Sequence, residues 1–236
     1  MKIFATLIFS FALLLATTDE NVEQNDGFDV EFNSPAKVFD PLGGYNRVMT
    51  NINDFFYVNI LTPTAKGYAY VVPKPARTAI TNIFDNLMFP MRFINNLLQF
   101  KFKNVGDETL RFLANTIIGF AGVSDVATKY YGIPKHDEDF GQTLGYWGLG
   151  GGFHLVLPIL GPSNLRDTIG KVGDYFTNPI TYVDPNALSL GINAFHYLND
   201  YSHDPYAYEH LKKDAIDLYP FLRDAYEQRR IYLIKD

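Results

Sequence analysis

Between Pro75 and Lys103 the apolar residues Ile80, Ile83, Phe84, Leu87, Met88, Met91, Ile94, Leu97 and Leu98 follow one another at intervals of three and one. That spacing lines them up along one stripe of a 3.6-residue turn. Pro90 falls in the middle of the stripe, where it lacks a backbone donor and crowds the carbonyl of Asn86, so the pattern predicts two helices meeting at a bend. The opposite side carries Phe89, Phe93 and Phe100 among Asn82, Asp85, Asn86, Arg92, Asn95, Asn96 and Gln99. Phenylalanine on two sides of a helix implies two apolar surroundings. Either this is the central helix of an all-α core, or it lies in a lipid interface; the segment alone does not separate the two.

Helical signals dominate the rest of the chain from about Val38 onward. "DETLRFLANTIIGFAG" places Asp107 and Glu108 at a predicted helix start and Gly119 and Gly122 at its end. Ser124 and Asp125 can cap another helix before Gly132 and Pro134. The stretch from Tyr182 to Asp236 reads as two or three helices, divided at Asp204–Pro205 and at Pro220. Strand alternation is rare, "FHLVLPI" at 153–159 being the best candidate, so the fold class is mainly α with little or no strand.

The N-terminus has a different pattern: one lysine, an apolar run from Ile3 to Ala16, then an abrupt change to polar and acidic residues. The run is shorter than the about 20 residues that cross a bilayer, and it fits a secretory signal. The expected organisation is a signal peptide at 1–18, a flexible acidic leader at 19–37 and one domain at 38–236. Composition sharpens this picture. The net charge is −6, which gives no general attraction to nucleic acid. Charged residues make up 19% against about 25% in ordinary soluble domains, while aromatics reach 16%. No cysteine is present, so disulfides, thiolate nucleophiles, cysteine-type zinc sites and lipidation of an N-terminal cysteine are all excluded for this sequence.

The densest unusual stretch is "GYWGLGGGFHLVLPILGPSNLRD" at 145–167, which sets six glycines among aromatic and aliphatic side chains. As a phosphate cradle it lacks the lysine and the serine or threonine that a P-loop requires, since Phe153, His154 and Leu155 follow Gly152. As a catalytic elbow it lacks G-x-S-x-G; Ser163 is expected to cap a following helix, with Asp167 favouring that helix's positive end. His196, Asp200 and His203 stand at i, i+4 and i+7, but helix termination before Pro205 argues for an ordinary polar seam and no metal is expected. What remains is a wall. Glycine lets backbone come close to a bulky partner, and Tyr146, Trp147, Gly148, Leu149, Gly150, Gly151, Gly152 and Phe153 could line a narrow apolar groove.

Three separated stretches resemble the MlaA (VacJ) family: "DPLGGYNRVMTNINDFF" from Asp40, the pair "PKPARTAITNIFDNLMFPMRFINNLLQ" and "RFLANTIIGFAGVSDVA", and "DEDFGQTLGYWGLGGGFHLVLPILGPSNLRDTIG" from Asp137. "FLRDAYEQRR" is similar to the family's closing helix. The resemblance implies a single ring-shaped helical domain with an amphipathic central channel, held at the inner leaflet of the outer membrane on its periplasmic side, often with a trimeric porin. Phospholipid misplaced in the outer leaflet would leave through the channel and pass to a periplasmic lipid-binding protein of the Mla pathway, with no chemistry on the lipid and no cofactor. Under that reading Tyr146 to Phe153 border the lipid route, and Phe84, Leu87, Met88, Phe89, Met91, Phe93, Ile94, Leu97 and Leu98 belong to a membrane-embedded helix. Family members are typically lipoproteins; without cysteine, this chain is expected to be held by apolar surface, a porin or an uncleaved signal. About a dozen residues within "DPYAYEHLKKDAIDLYPFLRDAY" are extra relative to the family pattern. Two other functions remain as alternatives: a porin-associated envelope scaffold without a lipid path, and a phospholipid hydrolase using Ser163.

Overall fold

The structure, a computed structural model, describes residues 38–235; the expected signal peptide and leader lie outside the described residues. Helix α1 (Gly43–Phe56) continues through a π-helical turn at Tyr57–Leu61 into α2 (Thr62–Val71). Then come α3 (Lys74–Leu87), α4 (Phe89–Leu98), α5 (Phe102–Ile117), α6 (Val126–Tyr131) and α7 (Phe140–Tyr146). A hairpin of β1 (His154–Leu157) and β2 (Gly161–Asn164) follows, antiparallel with His154 opposite Asn164. After it lie α8 (Leu165–Thr177), a 3₁₀ turn at Pro179–Tyr182, α9 (Asn186–Tyr201), α10 (Ala207–Asp214) and α11 (Leu218–Lys235). The mainly helical class is as the sequence indicates, and the one strand candidate is β1.

Local chemistry sets the element ends. Met88 separates α3 from α4 and Pro90 occupies the first turn of α4, where no intrahelical donor is needed, so the bend follows from the proline. Asp125 caps α6 by accepting from the Thr128 amide at 3.1 Å, and Gly132 ends that helix with φ +64°. Three expectations need correction. Helix α5 starts at Phe102, which leaves Asp107 and Glu108 inside it. Helix α11 runs through Pro220, which sits in its first turn, and the break falls at Ala215–Asp217 instead. Ser163 belongs to β2, and the cap of α8 is Asn164, whose side chain accepts from the Asp167 amide at 2.8 Å.

The helices close on themselves. Helix α2 packs on α9, α9 on α3, α3 on α4, α4 on α7, α7 on α11 and α11 back on α1. The tightest seam joins α7 to α8, where a Cβ on Gly170 would lie 2.5 Å from the Gly141 amide nitrogen and one on Gly173 would lie 2.4 Å from the Phe140 ring.

What fills the seams is polar. Among the described residues nine apolar side chains are buried against twenty-five polar or charged ones, an inversion of the usual partition. The apolar cluster is Phe84, Met88 and Ile180, with Ile80 and Ile192 against it. On α4 the buried residues are Arg92, Asn95 and Asn96, so its polar face turns inward while Leu97 stays exposed. The bonding explains how this is tolerated, since a buried polar group is costly only when unpaired. Arg92 meets Glu108 of α5 at 2.7 Å, and the other oxygen of Glu108 accepts from the His136 amide at 2.7 Å. Thr143 of α7 donates to Asn95 at 2.9 Å, and Gln99 donates to Glu138 at 2.8 Å.

Removing one member of the Arg92–Glu108 pair strands a buried charge, at a cost of about 3–5 kcal/mol. Arg92→Met and Glu108→Leu should therefore each lower thermal stability sharply by circular dichroism in detergent. The double variant should recover most of the loss.

Candidate functional site

Helix α7 starts on Asp139, which accepts from the Gln142 amide at 2.7 Å, and it ends at Tyr146, where the glycines begin. Gly148 and Gly152 adopt φ of +88° and +72°, conformations that side-chained residues rarely take, so the chain turns sharply twice between α7 and β1. Carbonyl oxygens of this loop satisfy the first amides of α8: the Leu165 amide donates to Phe153 and the Arg166 amide to Gly151, both at 3.1 Å. The loop's two halves face different surroundings. Nothing lies within 4 Å of a Cβ built at Gly148 or Gly150, whereas one at Gly151 meets the Asn164 amide nitrogen at 3.1 Å and one at Gly152 meets Leu165 at 3.0 Å. Gly148 and Gly150 are therefore open to solvent, and Gly151 and Gly152 have room for no more than glycine without a shift of Asn164 or Leu165.

Beside the open half stand Tyr146 and Trp147, both exposed. The Trp147 indole donates to the Leu98 carbonyl at 3.1 Å, which ties the loop to the end of α4. Leu97, Phe100 and Phe102 are exposed there too, with Phe100 held at φ 58°. Leu149 and Phe153 are half-buried.

The nine residues assigned to a membrane helix divide. Leu87 and Leu97 are exposed; Phe89, Met91, Phe93, Ile94 and Leu98 are half-buried; Phe84 and Met88 turn into the apolar cluster and face protein. Phe89 stacks on Phe112 of α5 at 4.5 Å between centroids, so part of the stripe is helix–helix contact. The same inverted character extends around the molecule. Tyr70, Val71, Ile117, Ile118, Phe120, Phe176 and Leu190 are all exposed, far more apolar surface than scattered single residues account for. Among the described residues no helix is long and apolar enough to cross a membrane.

Behind the glycine loop lies a charged knot that pattern reading missed. Arg230 of α11 pairs with Asp139 at 2.6 Å and with Asp167 at 2.8 Å; Arg166 and the Tyr226 hydroxyl also reach Asp167. Glu227 accepts from Asn164 at 3.1 Å and shares a 2.8 Å hydrogen bond with His154 Nδ1, joining α11 to both strands. "LRD" and "FLRDAYEQRR" thus meet in space, which their repeated Arg–Asp pairing hints at but their separation in sequence conceals. On the other side, Asn46 and Asn53, seven residues apart on α1, clamp β1. Asn46 donates to the His154 carbonyl at 3.0 Å and accepts from the Val156 amide at 2.8 Å, and Asn53 bonds the Leu157 carbonyl at 2.9 Å and the Ile159 amide at 2.6 Å.

The candidate catalytic and metal groups are otherwise engaged. Ser163 is buried with its Oγ 3.1 Å from Thr168 Oγ1. His196 pairs with Asp200 at 3.0 Å and stacks on Phe84, and Thr81 Oγ1 lies 2.7 Å from Asp200 and 3.2 Å from His203, so the three belong to one hydrogen-bonded seam bridged by Thr81.

Matched against known proteins, residues 38–233 fit the family model described as MlaA lipoprotein. The chain belongs to the MlaA lipoprotein family. A Rickettsia felis protein is 31% identical over 98% of this chain and 93% of its own length. The Escherichia coli K12 intermembrane phospholipid transport system lipoprotein MlaA is 32% identical over 82% of this chain and 78% of its own. A solved chain from work on the structural basis for maintenance of bacterial outer membrane lipid asymmetry superposes with TM-score 0.71 at 30% identity, covering 83% of this chain and 98% of that one.

Two carboxylates at the α7–α8 seam titrate in opposite senses. Burial opposes ionisation of Asp139, yet the Arg230 guanidinium outweighs it and keeps the carboxyl below the usual range. Burial pushes Asp174 up to about 6, the Phe140 amide at 2.9 Å opposes this, and the charge on Asp139 adds to the rise. Between the ordinary value of 3.8 and about 6, the folded state binds a proton at Asp174 that the unfolded chain does not, so stability falls as pH rises through that window. Asp174→Asn, which keeps an acceptor for the Phe140 amide, should flatten this part of the pH–stability profile. It should also stabilise the protein at pH 7 by up to about 3 kcal/mol, measured by thermal unfolding across pH.

Proposed function

We propose that this protein carries phospholipid. It sits at the periplasmic side of the outer membrane, takes diacyl lipid misplaced in the outer leaflet through an amphipathic passage within the helical circuit, and releases it to a soluble periplasmic lipid-binding protein. No bond of the lipid is made or broken. The observation that carries this reading is the inverted partition: polar side chains hold the helices together inside while aromatic and aliphatic ones face outward. Water penalises that arrangement and a lipid monolayer rewards it. Family membership supplies the cargo class, since the E. coli relative is named for intermembrane phospholipid transport.

A passage for such cargo must meet a charged headgroup and two apolar tails together. The loop at 146–153 offers both characters, with free space at Gly148 and Gly150 beside Tyr146 and Trp147. A trimeric porin is the proposed neighbour in the membrane, and the exposed apolar side chains supply surface for both lipid and porin. Ser163 gives little support to hydrolysis, being buried and hydrogen-bonded to Thr168.

Isolation from membranes in mild detergent should recover phospholipid without lysolipid or free fatty acid, together with a porin. A porin without lipid would favour a scaffold, and fatty acid release lost in Ser163→Ala would favour a hydrolase. A Cβ at Gly150 would meet nothing within 4 Å, so Gly150→Val should slow lipid transfer between vesicles severalfold while leaving the unfolding temperature nearly unchanged; wild-type flux would remove the loop from the route. Trp147 is the sole tryptophan, so vesicle binding should shift its emission to shorter wavelength and brominated lipid should quench it. An unchanged spectrum would place the loop outside the membrane.

A further inference from the structure

Helix α10 buries none of its residues. What holds it down is polar. Lys66 meets Glu209 at 2.8 Å and lies 4.1 Å above the Tyr206 ring, and Lys212 meets Asp54 at 2.7 Å. The Tyr208 hydroxyl also donates to Asp54, at 3.0 Å, and its ring stacks on Tyr57 at 4.8 Å. Both ion pairs are partly open to solvent, where such pairs hold weakly and are screened by salt.

Tyr208 also forms one wall of a cavity of about 150 Å³, bounded by Thr50, Asn53 and Tyr57 below, Val156 of β1 and Leu222 of α11. Every polar side chain in this wall is occupied elsewhere. The Thr50 hydroxyl donates to the Asn46 carbonyl, the Asn53 amide is spent on β1, the Tyr57 hydroxyl pairs with Tyr197 and that of Tyr208 with Asp54. The space is lined mainly by carbon and opens on one side to solvent. A largely apolar hollow of about this size suits a small hydrocarbon.

We infer that this cavity is a binding site for the end of one acyl chain and that α10 is a strap that opens it by releasing its ion pairs to Asp54 and Lys66. The acyl identity of the occupant rests on the lipid-transport reading; the strap and cavity do not. Hinges are available at both ends, in the turn at 202–206 and at Ala215–Asp217, where the chain leaves helical structure.

The chain has no cysteine, so one introduced thiol reports on the cavity without background. Val156 is 2% exposed. In the full chain held in a fluorinated surfactant, which has no hydrocarbon tail to compete, Val156→Cys should react slowly with N-ethylmaleimide at low salt. Reaction should be faster by roughly fivefold or more in 1 M NaCl, and equally in an Asp54→Asn background, the scale set by releasing one or two partly exposed ion pairs. Leu222→Cys repeats the measurement from the opposite wall should the first variant fail to fold, and Lys74→Cys gives the rate of an open surface. Dihexanoylphosphatidylcholine below its micelle concentration should protect the thiol, and phosphocholine alone should not. Rates that match Lys74→Cys at low salt, or that ignore both salt and Asp54→Asn, would overturn the strap. Protection by phosphocholine, or none by the dihexanoyl lipid, would overturn the acyl site. If protection holds but no lipid moves between vesicles, the transport reading falls and the site stands.

Discussion

Most of what is buried in this protein depends on one constraint: polar groups placed inside must find one another, because most apolar groups have been placed outside. Arg92 and Glu108, Asn95 and Thr143, Gln99 and Glu138, and Arg230 with Asp139 and Asp167 join helices at positions where most helical domains use leucine and isoleucine. Hydrophobic contact is non-directional and tolerates sliding, whereas a hydrogen-bonded pair requires one register. Within the circuit the elements are fixed by geometry more than by burial of apolar area. The glycines at 141, 170 and 173 serve the same end, bringing α7 and α8 close enough for the charged knot behind them to form.

The function and the architecture then share a cause. Phospholipid carries charge and hydrocarbon on one molecule, and a protein handling it must present both characters. Apolar side chains lie on the outside, and the loop from Tyr146 to Phe153 brings uncovered backbone beside aromatic rings. The fold similarity to the solved family chain and the identity to the E. coli relative agree with the transport role that the family resemblance implies.

Much of this was legible in the sequence, and the failures have physical reasons. Periodicity located α3 and α4, and Pro90 located their bend, because both signals are local. Which face of the stripe is buried was not legible: periodicity reports that one side differs from the other, and only the solvent decides which side is inside. In the structure Leu87 and Leu97 of that stripe are exposed, while Phe84 and Met88 turn to protein. Asp107 and Glu108 looked like first-turn acids because a charge near an apolar run favours that reading, yet Glu108 is the interior partner of Arg92. Pro220 looked like a break and is a first-turn proline, a difference that depends on where the preceding chain turns. The knot of Arg230, Asp139, Asp167 and Glu227 joins residues distant in sequence, which no local pattern can report.

The two asparagines of α1 carry a consequence for how the molecule behaves among copies of itself. A lone hairpin is marginal in water, and its free edge invites pairing with any other extended chain. By offering amide oxygens and nitrogens to β1, Asn46 and Asn53 stand in for the neighbouring strand that the hairpin lacks. The outer edge of β1 is thereby closed with side chains, and the hairpin loses a template for pairing with the extended chain of another copy.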